Sequence, residues 1–387
     1  MINLLSPSKN YLGKNCIEYL NAELSGNRFR RCLIITDSFL VKSPTYKRVL
    51  KVLSNNTIGY KTYDQTMPNP TVQCVDKAYS LISANDCDFL ISIGGGSAHD
   101  LAKAVGIKAT SKGNIRDYAG VDKIPNEILP LICINTTSGT GSEVTRFTII
   151  TDTKEQKKMS IIDNKLIPWI SINDTDSLMT MPKGLTGATG MDALTHAIEA
   201  YLSTDSNTLT DTYALKAIDL INKNLITAYR DGSNIAAREN MAKAQFMAGI
   251  AFSNASLGYV HAIAHQLGGL YNLPHGVCNA VLLPIVLEQL GSRLEGEELG
   301  DIANAMGISV FQKKNKYICP RVILRILDMN KKLNIPTNLT ELGVKKEDIS
   351  KICTMALNDA CRLTSPIQFT YEELVYMLNQ GLKEKRI

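Results

Sequence analysis

The sequence predicts an α/β domain followed by an all-helical domain, and three observations predict it. Up to about residue 180, short β-branched strands alternate with helical stretches; beyond Pro182, long helical patterns follow one another without a convincing strand. Two loops of small residues each follow directly on a strand of the first half. An alternating segment followed by a helical one reads as two separately packed domains, 1–180 (α/β) and 181–387 (all-helical).

The elements follow in order. Arg31-Cys-Leu-Ile-Ile-Thr-Asp37 reads as a buried strand and Pro44 to Leu53 as the helix after it. Tyr60 to Tyr63 is a weaker strand, and Pro70 to Ala84 a helix opened by proline. Asp88 to Ile93 is the next strand, leading through glycines into a helix that runs to Lys108. Strands buried on both faces read as continuous β-branched runs, which implies a parallel sheet. Thr145 to Thr151 and Lys158 to Ile162 look like a β-ribbon appended to it. Helices are expected over Gly184–Leu202, Asn207–Tyr229, Asn234–Phe252 and Leu257–Leu270, with several more to the C-terminus.

Composition narrows the function classes. With 387 residues, 44% hydrophobic and 20% charged, the chain supports two or three real cores and is too apolar for disorder. The net charge of +5 (42 minus 37) is dispersed, so a nucleic-acid partner is not expected. Nine cysteines without a C-x-x-C pair argue against a disulfide framework or zinc ribbon and for reduced thiols in the cytoplasm. Met1 to Asn15 lacks the pattern of a signal peptide. The longest apolar run, Ala280 to Leu287, contains Pro284 and falls well short of the roughly 18 residues a membrane span needs.

Gly94-Gly-Gly-Ser-Ala-His-Asp100 lies between a strand and a helix. Glycines there let the backbone approach a diphosphate, stabilised by free N–H groups and the helix dipole, although a merely tight turn uses the same residues. Thr136-Thr-Ser-Gly-Thr-Gly-Ser-Glu143 is the second such loop, and its hydroxyls suit phosphate, ribose or amide contacts. Asp37 ends the first convincing strand, where a carboxylate accepts from adenosine ribose hydroxyls and disfavours a 2′-phosphate; a local cap is the rival reading. Together these features make a dinucleotide, NAD rather than NADP, the expected ligand.

Four of the five histidines fall between residues 196 and 275. Asp192 and His196 are four apart, as are His261 and His265, so each pair shares a helical face. His275, in Pro274-His275-Gly276, sits on a break between helices. One carboxylate and imidazoles suit Fe(II) or Zn(II). The rival reading, a solvated charge pair, conflicts with the apolar flanks Ala193, Leu194, Ala197 and Ile198. Spacing alone leaves open which of His261 and His265 is the ligand.

Those two loops, with Gly190–Tyr201 and above all His261 to Val277 (H-A-I-A-H-Q-L-G-G-L-Y-N-L-P-H-G-V), resemble the iron-dependent (group III) alcohol dehydrogenases over essentially the whole chain. The likeness points to the ethanol and 1,3-propanediol dehydrogenase branch, with lactaldehyde reductase further off. It implies a dehydroquinate synthase-like fold and assigns Asp192, His196, His261 and His275 to the metal, leaving His265 beside the nicotinamide as catalytic candidate. Gly95, Gly96, Ser97, Ala98 and His99 match the pyrophosphate stretch, Thr136, Thr137 and Thr140 the second cofactor loop, and Asp37 the ribose position. Asn69, Lys158, Leu178 and Met181 match further cofactor contacts, and Phe252 and Cys361 the alcohol pocket. Phe147 stands where the lactaldehyde branch has a cofactor-binding asparagine, and Ile285 replaces a frequent histidine.

The implied reaction is reversible hydride transfer between a short-chain primary alcohol or diol and NAD, with the metal as Lewis acid, in a homo-oligomer (dimer or decamer). The rivals are a dehydroquinate-synthase-like lyase and a glycerol-dehydrogenase-like enzyme. The lyase needs Lys and Arg for a phosphorylated acid, whereas the metal motifs are flanked by Phe252, Leu257, Tyr259 and Leu270.

Overall fold

In the computed structural model, which describes residues 2–155, 157–310 and 314–383, the apolar runs of the first half form one parallel sheet. Its strands are β1 (Lys9–Gly13), β2 (Arg31–Ile35), β3 (Gly59–Tyr63), β4 (Phe89–Gly94), β6 (Leu131–Asn135) and β9 (Ile170–Asp174), in the order β1-β9-β6-β4-β2-β3. Alternate side chains leave opposite faces. Leu33, Ile35, Leu90, Leu131 and Cys133 join one apolar layer; Cys32, Ile34, Phe89, Ile91, Ile132 and Ile134 join the other. The first layer takes Val75 and Ala78 from α3 (Val72–Ser83) and Leu101 and Val105 from α4 (Gly96–Thr110). The second takes Leu20 from α1 (Leu20–Ser25) and Val49 and Leu53 from α2 (Pro44–Asn55). Helices therefore cover both faces, which is why these strands are apolar throughout.

The helix starts are local chemistry. The Ser43 hydroxyl accepts from the Tyr46 N–H ahead of Pro44, and the Thr71 hydroxyl accepts from the Cys74 N–H, so α3 opens at Val72 rather than at Pro70. The ribbon expected after residue 145 is β7 (Phe147–Asp152) antiparallel to β8 (Lys157–Ile162). A two-residue strand β5 (Gly120–Val121) pairs with β8 and makes this a separate three-stranded sheet.

Strand order reverses between β2 and β4: the chain steps outward from β2 to β3, then returns to build β4, β6 and β9 on the other side. In a doubly wound sheet, ligands bind beyond the carboxyl ends of strands at such a reversal. Asp37 follows β2 and Gly95 follows β4, the two strands at that point.

Leu5–Met181 forms one compact unit, closed by the short helix α5 (Thr175–Leu178), and the chain from Pro182 onward forms another. The second unit contains α6 (Lys183–Leu202), α7 (Thr208–Arg230), α8 (Ile235–Ala255), α9 (Tyr259–Tyr271) and α10 (His275–Gly291). It continues through α11 (Glu298–Ala305), α12 (Asn315–Lys332), α13 (Ile349–Ala356) and α14 (Tyr371–Gly381). Among the described residues it holds no strand. Helix α6 is buried almost all round and packs on α7, α8 and α10.

Pro284 lies inside α10 and cannot donate to the Ala280 carbonyl. The Asn330 side-chain amide of α12 donates to that carbonyl instead, at 2.7 Å. All nine cysteines are buried and unbridged, and among the described residues no helix is long and apolar enough to cross a membrane.

Candidate functional site

Helix α6 presents Asp192, His196 and Glu199 on one face through their spacings of four and three. Helix α9 brings His261 and His265, and His275 is the first residue of α10. The glycine after it seats that helix end: a Cβ at Gly276 would lie 2.3 Å from the Ala188 carbonyl oxygen of α6. Only a residue without a side chain lets α10 start against the α6 backbone.

The result is a convergence. One donor atom from each of Asp192, His196, His261 and His275 lies within 4.8 Å of the others. The Nε2 atoms of His196, His261 and His275 are 4.0, 3.9 and 3.8 Å from Asp192 Oδ1. These separations exceed hydrogen bonds and leave room for a cation between the donors. Asp192 and His261 are nearly inaccessible, while the His275 side chain is 28% exposed.

The donor set fits Fe(II) or Zn(II), and its protonation fits too. The Asn279 amide nitrogen donates to Asp192 Oδ1 at 2.6 Å and lies 3.0 Å from His261 Nε2 and 3.2 Å from His275 Nε2, more neighbours than its two hydrogens can serve at once. Burial pushes the His261 pKa down to about 3, so it stays neutral as a ligand must.

Around the donors, Phe252 stacks flat on His196 with centroids 4.3 Å apart, and the His196 and His261 rings stack at 4.6 Å. His261 Nδ1 lies 2.6 Å from Glu199 Oε2. Burial raises the Glu199 carboxyl to about 7 against three backbone N–H groups that lower it. His265 stacks on His275 at 5.5 Å and its Nδ1 bonds Asp359 Oδ2 at 2.9 Å. Asp359 also accepts from the Cys361 N–H at 2.9 Å and the Gln266 amide at 3.3 Å. Cys361 is buried two residues beyond Asp359. Burial holds its thiol well above the ordinary range, and it is therefore protonated.

In the first unit the two small-residue loops lock together. The Thr136 N–H donates to the Gly94 carbonyl at 2.9 Å. A Cβ at Gly95 would meet Thr137 Cγ2 at 2.7 Å, and one at Gly96 would meet Thr140 Cγ2 at 2.9 Å. A side chain at either glycine would have to displace a threonine of the second loop. No side chain caps α4 at Gly95, which leaves the first N–H groups of a 15-residue helix open to an anion, Ser97 among them.

Asp37 does serve as a local cap: its Oδ1 accepts from the Phe39 and Leu40 N–H groups, both at 2.8 Å. The His99 side chain turns away from the loop surface. It is fully buried, with Nδ1 2.7 Å from Ser92 Oγ, so only its backbone stands at the loop. Ala98, Leu178 and Met181 are buried too. Asn69 turns the chain after β3 with φ +56°, and Lys158 is half-buried in β8.

Sequence reasoning missed Glu199, Asn279 and Asp359. Two had a signal: Glu199 lies seven residues after Asp192, and Asn279 four after His275, each on a face already marked by a donor. Asp359 had none.

Comparison with known proteins agrees with this architecture. Residues 7–175 match the family described as iron-containing alcohol dehydrogenase, and residues 186–382 match the C-terminal part of the Fe-containing alcohol dehydrogenase family. The chain is 45% identical over 377 residues to alcohol dehydrogenase 4 of Saccharomyces cerevisiae, covering 97% of both chains. It is 37% identical over 382 residues to the NAD-dependent methanol dehydrogenase of Bacillus methanolicus, covering 99% of this chain and all of that one. A crystal structure of 1,3-propanediol oxidoreductase superposes with a TM-score of 0.94 at 40% identity, covering 98% of this chain and all of that one. The family match spans both units, and the chain belongs to the iron-containing alcohol dehydrogenases, oxidoreductases of alcohols and aldehydes.

Proposed function

We propose that this protein catalyses reversible hydride transfer between a short-chain primary alcohol or diol, of the ethanol, 1,3-propanediol and 1,2-propanediol class, and NAD. The observation that carries this reading is the convergence of three buried donors, Asp192, His196 and His261, and the half-buried His275 on one point. These four residues would hold the metal, Fe(II) in the first instance and Zn(II) as the alternative. When bound, such a dication lowers the alcohol's pKa and polarises the aldehyde carbonyl.

The protein's own residues do the rest. Asp192 supplies the negative charge that offsets part of a dication, and the three imidazoles supply neutral donors. His265, its Nδ1–H held by Asp359, presents Nε2 as the acceptor that passes the alcohol proton toward solvent. Phe252 and Cys361 shape an uncharged pocket. The groups stacked on or hydrogen-bonded to the four donors include Phe252, His265, Asn279 and Glu199, which suits a small neutral substrate better than a phosphorylated acid.

In this reading residues 1–180 bind the dinucleotide and 181–387 the metal and substrate. The stretch from Gly95 to His99 holds the pyrophosphate through the N–H groups at its start, those of Ala98 and His99 being bonded to the Gly95 carbonyl, and Thr136, Thr137 and Thr140 make the second loop's contacts. Asp37 holds the adenosine ribose, while Asn69, Lys158, Leu178 and Met181 complete the cofactor site. The NAD dependence of the methanol dehydrogenase relative supports this choice of cofactor. We also propose a cytoplasmic homo-oligomer, a dimer or decamer, which sedimentation would establish.

The test is a panel of alcohols on anaerobically prepared protein, following NADH formation before and after metal removal. Turnover with Fe(II) or Zn(II) restored, and its loss on chelation, is expected. Undiminished oxidation by protein shown empty by elemental analysis would refute the proposal.

A further inference from the structure

Glu199 is not one of the four converging donors, yet its carboxylate joins the two helices that carry three of them. Oε1 accepts from the Val260 N–H at 2.7 Å; Oε2 accepts from the His261 N–H at 3.4 Å and lies 2.6 Å from His261 Nδ1. A side chain of α6 therefore caps α9. Its own N-cap residue, Gly258, makes no side-chain cap bond. A Cβ at Gly258 would stand 2.7 Å from Glu199 Oε1, so glycine is what admits the carboxylate to this helix end.

We infer that Glu199 is a positioning residue for the metal, holding His261 in the Nδ1–H tautomer so that its Nε2 lone pair joins the Asp192 oxygen. The Asn279 amide gives independent support: its nitrogen lies 3.0 Å from His261 Nε2 and cannot accept a hydrogen bond, which favours an unprotonated Nε2 and a proton on Nδ1, facing Glu199. A carboxylate at Nδ1 also makes the imidazole a better donor than a neutral acceptor would. Glutamine keeps the shape but offers a single acceptor oxygen, which cannot serve both Val260 N–H and His261 Nδ1–H. Because Asp192, His196 and Glu199 share one face of α6, that face would supply both ligands and the group that orients a third. The inference rests on the reading that the four residues hold a metal.

The test measures Co(II) binding, with no turnover involved. Metal-free wild type, Glu199→Gln and His261→Ala are titrated with Co(II) against a competing chelator. The visible spectrum of each complex and the melting temperature with and without Co(II) are recorded. Glu199→Gln is expected to bind roughly ten- to hundredfold more weakly, with a shifted ligand-field spectrum and a smaller rise in melting temperature on adding Co(II). Binding within twofold of wild type and an unchanged spectrum would overturn the inference. Should the glutamine variant not fold, Gly258→Ala crowds Oε1 while keeping the charge, and the same weakening or its absence decides. If His261→Ala binds Co(II) as wild type does, the metal site itself falls. If only His261→Ala differs from wild type, Glu199 alone loses its role.

Discussion

Two imidazoles one turn apart on α9 differ in what stands around them. His261 and His265 each face a carboxylate through Nδ1, Glu199 and Asp359 respectively, but His261 is the one whose Nε2 lies 3.9 Å from Asp192 Oδ1. Replacing His261 with alanine should empty the site and abolish turnover. His265→Ala should retain metal and slow turnover by roughly a hundredfold, the ordinary weight of a proton-transfer group. Elemental analysis after dialysis separates the two, and full metal content in His261→Ala contradicts the assignment. Asp37 caps its own chain and, in the proposed function, also holds the adenosine ribose. Asp37→Gly should narrow the preference for NAD over NADP and also cost about 1 kcal/mol in denaturant unfolding, through the lost bonds to the Phe39 and Leu40 N–H groups. An unchanged cofactor ratio with the stability loss intact would leave Asp37 as a cap alone.

At the level of elements, the site depends on how closely helix ends approach. Gly276→Ala forces α10 off the α6 backbone, because the Ala188 carbonyl cannot move without breaking its helix. We expect a loss of roughly 1–3 kcal/mol in chemical unfolding together with weaker metal retention, since His275 rides on the displaced turn. Wild-type stability in that variant would mean the helix end adjusts freely. In the other unit, Arg116 grips Asp152 at the end of β7 through Nε–Oδ2 (2.5 Å) and Nη2–Oδ1 (2.8 Å). The Arg116 hydrogen bonds hold the Asp152 carboxyl at about 2 against an ordinary 3.8. A carboxyl depressed in the folded state stabilises above its unfolded pKa, and that contribution disappears as pH falls through the folded one. Acid unfolding between about pH 4 and pH 2 should therefore be shallower in Arg116→Ala than in wild type, as read by circular dichroism; identical slopes would show that the pair contributes nothing.

For the molecule as a whole, donors from α6, α9 and α10 make a bound dication a crosslink that the unfolded chain lacks. Free metal at about a thousand times Kd should stabilise the native state by roughly 4 kcal/mol, so calorimetry on chelated protein should show a lower melting temperature, restored by Fe(II) or Zn(II). Identical melting curves would mean that no metal is held. This set of donors was legible early because Asp192–His196 and His261–His265 repeat at the helical period. Glu199 shares that helical face but its partner His261 lies 62 residues away, and Asp359, 94 residues from His265, carries no such mark at all. The sheet divides in the same way. The strands β2, β4 and β6 show as apolar runs because helices cover both their faces, whereas β1 is a half-exposed edge whose Lys-Asn-Tyr-Leu-Gly carries no such pattern.

The amino-acid order alone determined that an α/β unit precedes a helical one, that the sheet's strands are apolar on both faces, and that a carboxylate and imidazoles share helical faces. Those properties show as unbroken apolar runs or as spacings near the helical period of 3.6, which covalent geometry sets. Packing decided the remainder. It determined which nitrogen of His261 looks toward Asp192, that the His99 ring is sequestered beneath its loop, that Asp37 spends one oxygen on its own backbone, and that α9 is capped from α6. The contacts of His261 with Asp192 and of Val260 with Glu199 join groups more than 60 residues apart, and local periodicity carries no record of where such partners come to rest.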